Sequence, residues 1–239
     1  MLFLYDNKVL LQLEDLVSIS YRKYRPQLFA DVLGQDAIVT TLKNALYNSR
    51  LAYAYLFCGL RGTGKTSLLR ILAKALNCQN LNPESEPCNQ CSSCLDILNN
   101  CSLDVLEIDG ASHRGIDDIR QMNETIGYAP THGKYKIYII DEVHMLTKEA
   151  FNALLKPLEE PPPTVKFIFA TTEPHKVLPT IISRCQRFDL NRISSQLIVK
   201  KLKQILKNLE MSCEEESLFL ISELSDGSLR DAESLLDQL

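Results

Sequence analysis

Residues 54–77 decide the fold, and they read AYLFCGLRGTGKTSLLRILAKALN. An apolar run ends at Cys58, and the following segment, GLRGTGKT at 59–66, fits the phosphate-binding pattern G-x-x-x-x-G-K-[ST]. A helical pattern then continues from Lys65 to Asn77. A strand, a glycine-rich turn and a helix in this order predict a P-loop, in which backbone N–H groups and the start of the helix hold phosphate.

The polar and glycine positions of this loop have separate expected roles. The glycines allow the backbone to curl around phosphate oxygens. We expect Lys65 to reach the β- and γ-phosphates of a nucleotide and the Thr66 hydroxyl to hold Mg²⁺. A glycine-rich structural turn is the alternative, which the flanking strand and helix disfavour. The predicted phosphate-binding set in this segment is Gly59, Arg61, Gly62, Thr63, Gly64, Lys65, Thr66 and Ser67.

A phosphate site of this kind is completed by acidic residues at the end of another strand. Residues 137–142 read IYIIDE, an apolar strand that ends in two carboxylates. We expect Asp141 to hold Mg²⁺ through water and Glu142 to polarise the attacking water as a general base. Acidic residues are common where strands of α/β proteins end, and the pairing with the P-loop is what favours the catalytic interpretation.

Alternating strand and helix patterns indicate the architecture. Strands are predicted at Ala54–Cys58, Leu103–Ile108, Ile137–Ile140, Val165–Ala170 and Arg187–Leu190. The middle three are apolar nearly throughout, which predicts strands covered on both faces. Helical patterns lie between the strands, so a parallel sheet is expected. We therefore predict an N-terminal extension at 1–20, an α/β domain at 21–190 and an all-helical domain at 191–239.

Four cysteines between positions 78 and 94 form a second local feature. Cys78, Cys88, Cys91 and Cys94 have the spacing C-x9-C-x2-C-x2-C, which can place four thiolates around one tetrahedral Zn²⁺. Four thiolates leave no open position, so a structural zinc module at 78–94 is predicted. An iron–sulfur cluster and unligated thiols are the alternatives. The other four cysteines are interpreted as small buried apolar side chains.

Composition and charge exclude several classes of protein. The 239 residues carry 26 Lys and Arg against 30 Asp and Glu, a net charge of −4, which argues against a simple basic nucleic-acid binder. No uninterrupted apolar run is long enough to cross a membrane. The apolar start of the chain lacks a basic region before it and contains acidic residues, so a signal peptide is not predicted. These features predict a cytoplasmic chain with reduced thiols.

Five longer stretches resemble a known family. They read YRKYRPQLFADVLGQ at 21–35, IDEVHML at 140–146, FNALLKPLEEPP at 151–162, ATTEPHKVLPTIISRC at 170–185 and GSLRDAESLLDQ at 227–238. With the four-cysteine insertion they resemble the tau/gamma family of bacterial DNA polymerase III, the AAA+ ATPases of the sliding-clamp loader. A P-loop is generic, whereas the insertion combined with SRC at 183–185 and GSLRDA at 227–232 is specific. The resemblance runs from residue 21 to residue 239.

The resemblance implies a fold and further site residues. The fold would be an AAA+ P-loop domain with a zinc-binding insertion, followed by a small helical lid. Thr172 matches the sensor-1 position, and Arg184 matches the arginine finger that acts on ATP held by a neighbouring subunit. Arg230 matches sensor 2, which reaches ATP in its own subunit. The adenine is framed in the family at positions that match Arg25, Pro26, Val32, Gly34 and Gln35.

The resemblance also implies cofactors, partners and a mechanism. ATP with Mg²⁺ would draw subunits together and open the ring-shaped clamp, and hydrolysis would let the clamp close on DNA. The implied partners are delta, delta prime, further tau/gamma copies, the sliding clamp and primer–template DNA, with no membrane. Arg114 and Arg120 are candidate DNA contacts, although Gly115 stands where a basic residue would help. The collar domain that follows the lid in the family is expected to be absent from this chain.

Three alternatives to a clamp-loading ATPase are considered at this stage. One is an AAA+ motor that remodels another protein–DNA complex, and another is a clamp-loader arm that no longer hydrolyses ATP. The third is a zinc-based DNA-binding module, which the acidic charge balance and the lack of a basic stripe disfavour. A broken P-loop would mark the inert arm. Lys65, Thr66, Asp141 and Glu142 are all intact, which favours an active ATPase.

Overall fold

The structure, a computed structural model, describes residues 24–211 and 213–238. The extension predicted at 1–20 lies outside these residues, as do the first three residues of the predicted α/β domain. The described chain forms two compact units. One comprises residues 27–60 and 64–191, and the other comprises residues 24–26, 61–63 and 192–238.

The first unit is built on a parallel sheet, as the sequence predicts. Its strands lie in the order β2-β3-β4-β1-β5, and each pairs with its neighbours in parallel. The strands are Ala54–Cys58 (β1), Val105–Asp109 (β2), Lys136–Asp141 (β3), Val165–Thr171 (β4) and Gln186–Asp189 (β5).

Helices cover both faces of this sheet. They are Asp36–Tyr47 (α1), Lys65–Asn77 (α2), Ser92–Leu98 (α3), Ile116–Ile126 (α4), Lys148–Glu159 (α5) and Pro179–Ile182 (α6), with 3₁₀ turns at Phe29–Asp31, Val143–Met145 and Pro174–Lys176. Side chains of β1 alternate between the two layers. Tyr55 and Phe57 belong to the apolar layer that contains α1 and α2, and Leu56 belongs to the layer that contains α4 and α5.

One prediction about the strands is wrong. β1 and β4 are buried at every position, and β3 at its four central positions, but β2 exposes most of its side chains. Leu106 is 44% exposed, whereas Ile108 is buried. The physical reason is that β2 lies at the edge of the sheet. An apolar run therefore predicts a strand here, but it does not predict that other elements pack on both faces of that strand.

The second unit is helical. Its helices are Ser195–Asn208 (α7), Glu215–Leu224 (α8) and Leu229–Leu236 (α9). The buried face of α7 repeats at helical spacing through Ile198, Leu202 and Ile205. The Ser228 hydroxyl accepts the N–H of Asp231 at 3.2 Å and caps the start of α9. Among the described residues, none of the helices is long and apolar enough to span a bilayer.

Candidate functional site

The P-loop joins the end of β1 to the start of α2. Gly62 and Gly64 have φ angles of +76° and +102°, the left-handed region that favours glycine. Gly64 immediately precedes the 13-residue helix α2, which begins at Lys65. The first N–H groups of this helix lack partners within the helix, and they supply the partial positive charge that phosphate needs.

Lys65 is held inside the loop. Its side chain is buried, and its ammonium donates to the Gly59 and Leu60 carbonyls at 2.9 and 2.8 Å. Burial lowers the pKa of Lys65 below its ordinary value, although the negative charges of Glu142 and Asp141 act to raise it. A cation therefore lies beside the loop that the sequence predicts to bind phosphate.

Thr66 and Asp141 meet at the carboxyl end of the sheet. The Thr66 hydroxyl donates to Asp141 Oδ2 at 2.8 Å, and the N–H of Glu142 donates to Asp141 Oδ1 at 2.9 Å. Hydroxyl and carboxylate oxygens are ligands that Mg²⁺ accepts in phosphate sites. The oxygen atoms present therefore fit the ion that the P-loop implies.

Thr172, which follows the neighbouring strand β4, orients the Glu142 side chain. The backbone N–H and the hydroxyl of Thr172 both donate to Glu142 Oε2, at 3.1 and 2.9 Å. Glu142 has a φ of +47°, unusual for a residue other than glycine. A Cβ at Gly110, directly after β2, would lie 2.7 Å from the Glu142 carbonyl oxygen, so this position tolerates no side chain without backbone movement. Backbone strain such as the positive φ of Glu142 is concentrated at functional sites.

The remaining residues predicted to bind the nucleotide are divided between the two compact units. Ser67 is buried on α2, and Val32 lies in the apolar layer of α1 and α2. Six further predicted residues belong to the second compact unit: Arg25, Pro26, Arg61, Gly62, Thr63 and Arg230.

The candidate arginines outside the P-loop lie at the surface. Arg184 donates to Glu159 Oε1 at 2.8 Å and to the Thr180 carbonyl at 2.6 Å, and a third of its side chain is exposed. Arg114 donates to the Ala111 carbonyl at 2.9 Å. Arg120 is mostly exposed and pairs with an acidic residue on α4. Carboxylates lie close to both arginines, since Asp117 pairs with Arg120 and Asp118 pairs with His113, next to Arg114.

Sequence reasoning missed three residues near Glu142. Gly110 follows β2, His144 Nδ1 lies 3.4 Å from Glu142 Oε2, and Glu173 Oε1 lies 3.3 Å from the other nitrogen of the His144 ring. His144 and Glu173 stand within stretches quoted above, but a single histidine or glutamate has no spacing partner that would single it out. Gly110 could have been suspected, because glycine directly after a strand indicates a close backbone approach.

The four predicted zinc ligands converge. The Sγ atoms of Cys78, Cys88, Cys91 and Cys94 all lie within 4.8 Å of one another. A tetrahedral zinc with bonds of about 2.3 Å would place its sulfurs about 3.8 Å apart, so a small contraction of this cluster would suffice. The donor set and the spacing of the sulfurs therefore fit a structural zinc ion.

Backbone N–H groups favour the thiolate at Cys88, whereas burial raises the pKa of the Cys78 and Cys94 thiols. The N–H of Cys88 donates to Cys78 Sγ at 3.3 Å, and those of Gln90 and Cys91 donate to Cys88 Sγ at 3.5 and 3.3 Å. The Gln90 N–H, helped by the Cys91 N–H, lowers the pKa of the Cys88 thiol to about 6. Thiolate is the form that binds metal. The burial predicted for the other cysteines is correct for Cys58 but wrong for Cys101 and Cys213, which lie exposed in loops, while Cys185 is half-buried.

The cysteine loop also braces the segment before α1. The Glu86 carboxylate accepts the N–H groups of Phe29 and Ala30 at 2.7 and 2.9 Å and pairs with Lys43 at 2.7 Å. The buried Lys74 ammonium donates to Asn89 Oδ1 at 2.6 Å and to the Gln27 carbonyl at 2.9 Å. These hydrogen bonds connect the cysteine loop to residues 27–30, so a well-ordered cysteine loop also holds that segment in place.

Comparison with known proteins decides the family. Residues 34–194 match the model for the DNA polymerase III delta subunit, and residues 197–239 match that for the ATPase lid domain of the DNA polymerase III clamp loader subunit. DNA polymerase III subunit tau of Bacillus subtilis is 55% identical over 218 residues, which cover 91% of this chain and 38% of the relative. The chain belongs to the tau/gamma family of DNA polymerase III subunits. DNA polymerase III subunit tau of Escherichia coli is 48% identical over 91% of this chain and 34% of its own length.

The chain spans roughly a third of the length of these two tau/gamma relatives. Among solved structures, the branch migration motor RuvB of Thermotoga maritima superimposes with a TM-score of 0.66 at 19% identity, covering 90% of this chain and 64% of that chain. This similarity shows the AAA+ fold. The tau/gamma family and the AAA+ fold agree with the parallel sheet, the P-loop and the helical lid.

The zinc content of the chain and of a cysteine variant tests the predicted ligand set. We expect one zinc per chain by elemental analysis, and a Cys91→Ser variant should lose most of it because three thiolates hold the ion less tightly. The variant should also unfold at a lower temperature. The matched control is Cys101→Ser, at an exposed cysteine outside the cluster. Full zinc content in Cys91→Ser would contradict the assignment.

Proposed function

We propose that this chain is the ATP-hydrolysing module of a bacterial clamp loader. It binds ATP with Mg²⁺ and uses binding and hydrolysis to load the sliding clamp onto primer–template DNA during replication. The observation that carries the proposal is the set of hydrogen bonds from Thr66 to Asp141 and from Thr172 to Glu142. Membership of the tau/gamma family supports the clamp loader as its setting.

Phosphate recognition falls to the P-loop and the start of α2. Lys65 exchanges its contacts with the Gly59 and Leu60 carbonyls for the β- and γ-phosphates of ATP. Arg61, Gly62, Thr63, Gly64 and Ser67 are proposed to complete the cradle. Thr66 and Asp141 would hold Mg²⁺, which when bound neutralises phosphate charge. The adenine contacts proposed for Arg25, Pro26 and Val32 rest on the family resemblance.

We assign hydrolysis to Glu142, which accepts hydrogen bonds from Thr172. One oxygen of the Glu142 carboxylate accepts both hydrogen bonds from Thr172, which leaves the second oxygen to take a proton from the attacking water. Arg184 is proposed to act on the ATP of a neighbouring subunit, and Arg230 on the ATP of its own. Because a complete site then requires two subunits, the chain by itself should bind ATP and hydrolyse little.

The remaining assignments concern domains and partners. We propose an ATPase domain at 21–190 with a structural zinc module at 78–94, and a lid at 191–239. Partners would be delta, delta prime, further tau/gamma copies, the clamp and primed DNA. Arg114 and Arg120 are proposed to contact DNA phosphates from exposed positions.

The experiment that tests the function is a comparison of ATPase rates. The chain is assayed alone, and then with partner subunits, the sliding clamp and primed DNA. We expect a low rate alone and strong stimulation by the full set. Alternative DNA substrates, such as branched junctions without the clamp, should stimulate less. A high rate that none of these additions changes would contradict the clamp-loader assignment.

Replacement of Lys65 should weaken nucleotide binding. We expect Lys65→Ala to lower ATP affinity about 100-fold, because charge-assisted hydrogen bonds to phosphate are lost. Equilibrium binding of a fluorescent ATP analogue to the isolated chain measures this. Lys156→Ala is the control, since Lys156 is exposed on α5. Affinity within twofold of the parent chain would show that Lys65 does not touch the nucleotide.

A further inference from the structure

His144 is buried between two carboxylates. Its side chain is 5% exposed, and its two ring nitrogens face oxygen atoms on opposite sides. Nδ1 lies 3.0 Å from Thr171 Oγ1 and 3.4 Å from Glu142 Oε2, and Nε2 lies 3.3 Å from Glu173 Oε1. The ring therefore links the carboxylate proposed as general base to a second carboxylate further along the chain.

The contact with Glu142 adds to those made by Thr172. Oε2 of Glu142 already accepts the N–H and the hydroxyl of Thr172, and His144 reaches the same oxygen from the 3₁₀ turn that follows β3. Contacts on one oxygen set the direction of the other. His144 and Thr172 thus contact the same carboxylate oxygen from two different segments.

Glu173 contacts the nitrogen of the His144 ring that faces away from Glu142. Its backbone N–H donates to Thr171 Oγ1 at 3.0 Å, and its carboxylate also pairs with Lys176 at 2.8 Å. Glu173 directly precedes the turn Pro174–Lys176, which leads through α6 towards Arg184. His144 therefore lies between Glu142 and the first residue of the segment that carries the proposed arginine finger.

We propose that His144 is a positioning residue for ATP hydrolysis, which holds the Glu142 carboxylate in its productive orientation and is itself held by Glu173. The proposal rests on the function proposed above, in which Glu142 acts on the attacking water. It assigns no proton transfer to His144. Small displacements of a reacting group are costly in rate, so loss of the ring should lower turnover and leave nucleotide binding intact.

The test measures kcat and KM for ATP in the complex with partner subunits, clamp and primed DNA. We expect His144→Ala to lower kcat about 10-fold with KM within twofold, because an interaction that matters in the transition state is lost. Glu173→Gln should lower kcat by a smaller factor of about three by loosening the ring. His175→Gln is the matched control, since His175 is 73% exposed and lies 3.6 Å from the same Glu173.

A double-mutant cycle separates positioning from a merely structural role. In a Glu142→Gln background, His144→Ala should cause no further loss of kcat, because the group that it positions is gone. An equal loss in both backgrounds, or a change confined to KM, would overturn the proposal. If His144→Ala does not fold, Glu173→Gln decides alone, and an unchanged kcat in that variant would overturn it. If Glu142→Gln hydrolyses ATP as the parent chain does, the proposed function fails instead.

Discussion

A Glu142→Gln chain, assembled with its partner subunits, will bind ATP about as tightly as the parent chain and hydrolyse it about 1,000-fold more slowly. The amide keeps the shape of the side chain and can still accept the hydrogen bonds that Thr172 donates to Oε2. It cannot take a proton from water. Binding should survive because the proposed phosphate and metal contacts belong to Lys65, Thr66 and Asp141.

Two measurements check this prediction. Single-turnover phosphate release gives the rate of hydrolysis, and equilibrium binding of ATP gives the affinity. Glu216→Gln on α8 is a matched control, because it makes the same chemical change at an exposed position. A rate within tenfold of the parent would mean that another group activates the water. A loss of ATP binding in Glu142→Gln would instead indicate that Glu142 helps to hold the nucleotide.

Arg184→Ala should be about as damaging, and for a reason that involves a second subunit. An arginine supplied in trans to a phosphoryl-transfer site contributes about 10³–10⁵ in rate, so we expect a loss of about 1,000-fold. Within its own chain, Arg184 pairs with Glu159 on the surface. That ion pair is exposed enough to be exchanged for a phosphate on a neighbour at small cost.

Mixed complexes test whether Arg184 acts in trans. Arg184→Ala chains retain Glu142, and Glu142→Gln chains retain Arg184. Complexes that contain both should therefore include some complete sites and recover a measurable fraction of activity. Arg187→Ala is the control, since Arg187 is a nearby arginine that pairs with Asp189. A mixture no more active than either variant alone would contradict action between subunits.

Local patterns predicted much of the fold. The boundaries of α2 agree with the structure because a glycine turn marks its start and helical periodicity continues to its end. The cysteine spacing likewise predicted a cluster whose sulfurs converge. The burial of β2 could not be predicted in the same way. Its apolar residues resemble those of an interior strand, and its place at the edge follows from the strand order.

The network around Glu142 shows a similar limit. Thr172 could be named from the family resemblance, but its hydrogen bonds to Glu142 join residues 30 positions apart. His144 had no pattern of its own, and Gly110 had only its place directly after a strand. Their importance follows from packing, since His144 lies between two carboxylates and Gly110 lies against the backbone of Glu142.

By itself, the sequence determined the P-loop, the acidic end of β3, the cysteine spacing and the alternation of strands and helices. Each of these depends on residues within a few turns of one another, where backbone geometry and periodicity act directly. Only the tertiary structure decided which side chains meet. Thr66 and Asp141, 75 positions apart, form a hydrogen bond because β1 and β3 are parallel strands of one sheet, and their carboxyl ends open on the same edge.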